Sequence, residues 1–258
     1  MSRAGNESLP RGVDGVEIKV TLDSDQIEDG LVAFDLPREQ ARKRRIWFCE
    51  QVAESGASAA LPLLTRGLIL RLRSTGGDAD LTVKLRGPEG CVDPQGWRRR
   101  TRSAGKRAKI EGDWAGPRRL LSASVDADID DQQLANVLRG RDRRVSRLFS
   151  TIQDDLLRDW LVPRDGFDIL GPVQAMKWDP ASRGLDHEIA AEMWQVDDGL
   201  RFLELSIRVE RDPEGAQRHW KDSCGTATSR FRLSRKPRLG WCSNVSRTEN
   251  RLISRAVR

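Results

Sequence analysis

The sequence predicts an α+β protein built on a closed β-barrel with helices packed outside, and three observations support that prediction. Segments of period-two alternation recur along the chain, as expected of strands with two unlike faces. On most of them the polar face carries ionic charge. The helical stretch, residues 130–161, is too small to cover a broad open sheet. A sheet with its charges outward would need a second layer over its whole apolar face. Closing the sheet on itself, charges inward and apolar residues outward against helices, satisfies both faces.

Residues 1–14 read as a disordered lead-in. Residues 16–22 place Val16, Ile18, Val20 and Leu22 on one face and Glu17, Lys19 and Thr21 on the other, a first strand. The acidic residues 23–27 can open a short helix. Residues 44–49 follow the basic run 38–45 as a second strand, and residues 50–64 read as a loop or short helix. Residues 67–86 form a hairpin around a Ser-Thr-Gly-Gly-Asp turn. There Leu68, Leu70 and Leu72 alternate with Ile69, Arg71 and Arg73, and Leu81, Val83 and Leu85 with Thr82, Lys84 and Arg86. Like charges on neighbouring strands repel. Four cations on one face of a hairpin therefore point to a bound anion; the ordinary alternative is a solvated face.

Residues 87–117 are rich in Gly, Arg and Lys, and read as a mobile basic loop in preference to a flap over phosphates. Residues 119–125 read as a strand. Residues 130–161 read as a helical insert, with Leu148, Ile152, Leu156 and Trp160 at helical spacing and Pro163 as the stop. Residues 173–178 form a strand that carries Lys177. In residues 187–209, a three-residue loop Asp197-Asp198-Gly199 would place Glu192 opposite Glu204, Trp194 opposite Phe202 and Glu188 opposite Arg208. Glu188, Glu192, Glu204, Ser206 and Arg208 then share one face. Facing carboxylates repel unless a cation sits between them. Mg²⁺ or Mn²⁺ suits such hard oxygen donors; a wet face neutralised by Lys or Arg is the plainer alternative.

The chain has 258 residues and a formal net charge of +6, carried mostly by arginine. That balance suits phosphates, whether on a nucleotide, a polyphosphate or nucleic acid, without choosing among them. No apolar run reaches the ~18 residues of a membrane span, and the N-terminal residues lack the apolar core of a secretory signal. Cys49, Cys91, Cys224 and Cys242 have no metal-binding spacing, and two histidines make zinc a poor candidate. These features lead us to expect a reduced, cytoplasmic setting and no membrane partner.

Four motifs, in order, resemble the CYTH domains, or triphosphate tunnel metalloenzymes. Gly15-Val16-Glu17-Ile18-Lys19 is similar to that family's opening ExExK signature. Residues 63–73, with Gly67, Arg71 and Arg73, resemble its L-x-x-x-G-x-x-L-R-x-R strand. Residues 81–86 resemble the T-x-K strand, and residues 202–206, after the Asp-Gly turn, the late f-x-E-x-E strand. The resemblance covers most of residues 13–210. It implies an eight-stranded antiparallel tunnel over residues 15–220, with residues 221–258 as a basic C-terminal extension outside it. It also implies a triphosphate held with Mg²⁺ or Mn²⁺.

Arg71, Arg73, Lys84, Arg86, Lys177 and Arg208 are then the phosphate-binding set, with Lys19 near the attacked phosphorus. Glu17, Glu192 and Glu204 are the metal ligands, and Glu188 orients water. The expected activity is hydrolysis of inorganic triphosphate, a nucleoside triphosphate or thiamine triphosphate. The alternatives are a weakened tunnel that binds polyphosphate or nucleotide as a sensor or adaptor, an adenylate cyclase, and a nucleic-acid binder using residues 98–109 and 230–258. Two departures bear on catalysis: Gly15 and Ser206 stand where the family carries carboxylates. A third departure is Cys49-Glu50 in place of an Asp-Thr pair. The number of subunits is not predicted.

Overall fold

A computed structural model describes residue 9 and residues 11–55, 58–87, 92–140, 144–182, 186–196 and 199–230. In chain order, β1 (Gly15–Asp23) leads to α1 (Ile27–Ala33) and then β2 (Arg42–Glu50). A small hairpin of β3 (Ala53–Ser55) and β4 (Ser58–Ala60) precedes α2 (Pro62–Thr65). The predicted hairpin is β5 (Leu68–Ser74) and β6 (Ala79–Gly87). Next come α3 (Pro94–Arg100), β7 (Ala108–Ala115) and β8 (Arg118–Ile129). The helical insert contributes α4 (Asp131–Leu138) and α5 (Thr151–Asp159). β9 (Asp168–Ala181), β10 (Ile189–Gln195), β11 (Arg201–Val209) and α6 (Pro213–Arg230) complete the chain.

Among the described residues, nine strands close into one barrel, in the order β1-β11-β10-β9-β2-β5-β6-β8-β7. The closed barrel and its outer helices match the prediction; the strand count and the uniform antiparallel pairing do not. Parity gives the reason. A ring in which every neighbour is antiparallel must hold an even number of strands, so nine strands need a parallel pair. That pair is β1–β7, with Glu17 beside Asp113 and Lys19 beside Ala115. The expected mobile loop over residues 87–117 is corrected by the same finding, since it contains α3 and the barrel strand β7.

Apolar residues of alternate positions face outward and meet the helices. Val16, Ile18, Val20 and Leu22 of β1 pack with Ile207 and Val209 of β11, and α1 and α6 cover them with Leu31 and Trp220. The insert covers β5 and β6 with Leu134, Val137, Leu148 and Leu157. Gln153 of α5 fastens it: its amide donates to the carbonyls of Leu81 and Val125, at 2.9 Å each. Gly67 lets β5 start against β6, because at φ +76° a Cβ there would sit 2.1 Å from the carbonyl oxygen of Arg86.

One half of the barrel interior is apolar. Ile46 lies opposite Arg73, and Phe48 opposite Arg71, so both side chains point inward with those arginines. They pack with Ile69, Val173, Trp194 and Phe202, and with Leu61 just ahead of α2. Trp194 and Phe202 stack with ring centroids 6.1 Å apart. This cluster makes a floor, so the charged interior above it is a cup.

Of the lead-in, Asp14 is tied to β7: its backbone N–H donates to the Ile110 carbonyl and its carboxylate accepts the Ile110 N–H and the Arg98 guanidinium. The hairpin loop assigned to Asp197 and Asp198 lies outside the described residues, as do Cys91 and Cys242. Gly199 has the expected positive φ, +85°. α6 runs into the first ten residues of the predicted extension; residues 231–258 lie outside the described set. Cys49 and Cys224 are buried thiols, and burial pushes both up to about 12. No described helix is long and apolar enough to cross a membrane.

Candidate functional site: a charged cup inside the barrel

Alternation brings the predicted residues together. Glu17 and Lys19 of β1, Arg71 and Arg73 of β5, Lys84 and Arg86 of β6, Lys177 of β9, Glu192 of β10, and Glu204 and Arg208 of β11 all line one cavity of about 510 Å³. Glu188, just before β10, lines it as well. The predicted register of β10 against β11 is the observed one, with Glu192 opposite Glu204 and Trp194 opposite Phe202.

The deepest charges form a compact ionic group. Lys19 Nζ lies 3.1 Å from Glu17, 3.4 Å from Glu204 and 3.7 Å from Asp113. Asp113 also lies 3.3 Å from Arg86 and 3.7 Å from Lys84. Burial opposes the charge on Lys19, but Asp113, Glu17 and Glu204 outweigh it and hold the ammonium well above the ordinary lysine range. Burial also opposes ionisation of Asp113, yet Lys19, Arg86 and Lys84 draw its carboxyl far below the usual carboxylate range. Lys84 has the opposite fate. Burial, then Arg86, Lys19 and Arg71, bring it down to about 7 against the pull of Asp113. Burial and then Arg73 likewise lower Arg71 to about 10.

Nearer the mouth the charges are paired locally. Arg73 Nε donates to Asp80 at 2.8 Å. Arg208 donates to Glu111 and Glu210, at 3.0 Å each, and to the Asp14 carbonyl at 3.1 Å. The Arg208 guanidinium occupies the space beside Gly15, where an added Cβ would meet its terminal nitrogen at 3.2 Å. Lys177 stands opposite Glu192, and burial lowers its ammonium.

Five lining or supporting groups were not expected from sequence: Arg44, Lys109, Glu111, Asp113 and Asp126. Four come from β7 or its neighbour β8. Arg44 lies 3.6 Å from Glu192. The cavity wall carries nine cationic side chains against six carboxylates, and Asp113 and Asp80 behind it neutralise part of the difference. The excess that remains in this half-buried space is costly without an anion.

The predicted metal ligands can be tested against this geometry. Among the described residues no three His, Cys, Asp or Glu groups converge as a metal cage. Glu17 and Glu204 do converge, on the Lys19 ammonium, with Ser206 hydrogen-bonded to Glu17. Burial raises the Glu204 carboxyl, and Glu17, Asp113 and Glu192 add to that rise despite Lys19; burial opposes ionisation of Glu17 as well, but Lys19 and Lys84 draw its carboxyl below the ordinary range. Two carboxylates fit Mg²⁺ or Mn²⁺ as the protein's part of a coordination sphere that phosphate oxygens and water complete.

Comparison with solved structures follows from the geometry. A Bacillus halodurans protein, described provisionally as an adenylate cyclase, matches with a TM-score of 0.56 at 12% identity, over 84% of this chain and 90% of its own. The two proteins share a fold. Proteins of Vibrio parahaemolyticus, also described provisionally as an adenylate cyclase, and of Pyrococcus horikoshii match at TM-scores of 0.39 and 0.35 with 12% and 13% identity. They cover 83% and 91% of this chain, and 88% and 99% of their own. Those two likenesses carry no argument. No family model matches the chain, and neither does any curated protein. What the comparison shows is the fold alone, a closed barrel with outer helices.

Proposed function

We propose that the cup binds the triphosphate of a small molecule or of inorganic triphosphate and hydrolyses it. The observation that carries this reading is the surplus of cations distributed around the wall, Arg86 buried and the rest half-buried: Lys19 on β1, Arg71 on β5, Lys84 and Arg86 on β6, and Lys177 on β9. One phosphate satisfies one or two such groups; a row of phosphates satisfies them all. Lys19, held charged by its three carboxylates, grips a non-bridging oxygen at the attacked phosphorus. Arg71, Lys84 and Arg86 hold the remaining phosphate oxygens. Glu188, on the mouth side of Glu192, orients the attacking water. A divalent ion held by Glu17, Glu204 and the phosphates would supply charge neutralisation and polarise the attacked group.

The test is phosphate release from tripolyphosphate, ATP and thiamine triphosphate with Mg²⁺ or Mn²⁺, beside Glu204→Ala. Release that the variant abolishes supports the reading. A second reading, binding without turnover, is favoured by Gly15 and Ser206. It predicts no release from any substrate, with tripolyphosphate still raising the melting temperature. Cyclisation of ATP, the activity in the description of the Bacillus protein, would instead release pyrophosphate and form cyclic AMP, with no orthophosphate.

A further inference from the structure

Of the three metal ligands expected from sequence, Glu192 is the one outside the corner where Glu17 and Glu204 meet. Lys19 lies 3.1 Å from Glu17 and 3.4 Å from Glu204, and among the described residues it makes no ion pair with Glu192. Glu192 stands directly opposite Glu204 on β11 and Lys177 on β9. Its ion pair runs away from the corner, past β9 to Arg44 of β2, at 3.6 Å.

Two carboxylates thus divide most of the cations of the cup. Asp113 serves Lys19, Lys84 and Arg86. Only 3% of its side chain is exposed, and it stands behind the cavity wall. Glu192 serves the cations of β2, β5 and β9. Burial works against the charges on Arg44, Arg71, Arg73 and Lys177, and Glu192 supports all four. For Arg44 and Lys177 it is the largest support. Unlike Asp113, Glu192 lines the cavity and keeps 20% of its side chain exposed. An anion that enters the cup therefore meets these four cations where a carboxylate already stands. Like charges that share partners in a half-buried space repel strongly.

We propose that Glu192 is the internal counter-anion of the cup: it holds the cations of β2, β5 and β9 in the empty cavity, yields them to ligand phosphate, and so limits affinity without ligating a metal. The proposal rests on the triphosphate reading of the same cavity. It reverses the effect expected on removing this carboxylate. A metal ligand strengthens the hold on phosphates, so its loss weakens binding. A competing counter-anion opposes them, so its loss tightens binding.

The experiment is calorimetry of tripolyphosphate, without divalent metal, on the wild type and on Glu192→Gln in the full chain. The variant should bind about tenfold or more tightly. Electron paramagnetic resonance of free Mn²⁺, with tripolyphosphate present, should show uptake by Glu192→Gln undiminished from the wild type. Equal or weaker tripolyphosphate binding by the variant, or loss of its Mn²⁺ uptake, overturns the counter-anion and leaves the cavity reading standing. If the single variant does not fold, Arg44→Met with Glu192→Met removes both charges of the pair together. That double variant should bind tripolyphosphate more tightly than Arg44→Met alone and keep Mn²⁺ uptake; the reverse of either result overturns the proposal. Absence of tripolyphosphate binding to the wild type and to every variant overturns both readings.

Discussion

Lys19 Nζ and Asp113 Oδ1 lie 3.7 Å apart across the parallel β1–β7 seam, and Asp113 is the shared counter-charge of three cations. Removing a partner from a buried ionic group leaves uncompensated charge, at a cost of roughly 3–5 kcal/mol. Asp113→Asn should therefore shift the urea midpoint strongly downward with an unchanged slope. Tripolyphosphate should restore more stability to this variant than it adds to the wild type, because the released cations then take the anion.

Lys84 gives a pH dependence. Its folded value, about 7, lies below the ordinary lysine value of 10.5, so between those limits the unfolded chain holds the extra proton. Stability then rises with pH across that window and is flat below it with respect to this group. Anion binding goes the other way, since phosphate prefers the charged ammonium. Affinity for tripolyphosphate should fall about tenfold between roughly pH 6 and pH 8 through Lys84 alone. Calorimetry on Lys84→Met should show that component gone. An equal slope in the variant would remove Lys84 from the phosphate-binding set.

Glu50 makes a purely structural prediction. Its buried carboxylate accepts the N–H groups of Leu63 and Leu64 at the start of α2, at 2.8 and 2.9 Å, and that of Gln51 at 2.8 Å. Glu50→Ala leaves buried donors unpaired and should cost about 2–3 kcal/mol in denaturant unfolding. Because Leu61 and α2 sit under the floor, tripolyphosphate affinity should drop with it; Glu50→Gln should retain part of both.

Gly15 and Arg208 can be exchanged for a metal ligand. A glutamate at position 15 needs the space that the Arg208 guanidinium fills. The double variant Gly15→Glu with Arg208→Ser should bind Mn²⁺ about tenfold or more tightly without phosphate. The wild type, with two converging carboxylates, should take up the ion mainly when tripolyphosphate is present. Electron paramagnetic resonance of free Mn²⁺ distinguishes the two.

Much of this site is written plainly in period two. Lys19, Arg71, Lys84 and Glu204 alternate with large aliphatic residues, so their face is readable without a structure. β7 hides because Ala108 and Gly112 hold two of its four outward positions, beside Ile110 and Trp114, and the segment follows a run of arginines and lysines. Small residues pack outward as well as leucine does but leave no hydrophobic signal. Arg44 hides for another reason: in Arg42-Lys43-Arg44-Arg45 every position is cationic, so composition cannot tell the inward pair from the outward pair. Glu50 was read only as a departure from a family motif, because capping of α2 depends on a contact thirteen residues away.

The pairing of β1 with β11 and β7 has a consequence for how the molecule is made. Glu17 and Lys19 emerge from the ribosome early, yet one flank of their strand is supplied only by Arg201–Val209. Until that strand appears, β1 has an open edge and an ammonium without Glu204 beside it. Closure is thus an encounter between distant parts of the chain, entropically costly and slow. A nascent chain that stalls before residue 201 presents unpaired edges to its neighbours. Demand on chaperones should therefore be greatest just before the last strand emerges, and ligand cannot relieve it, because the cup does not yet exist.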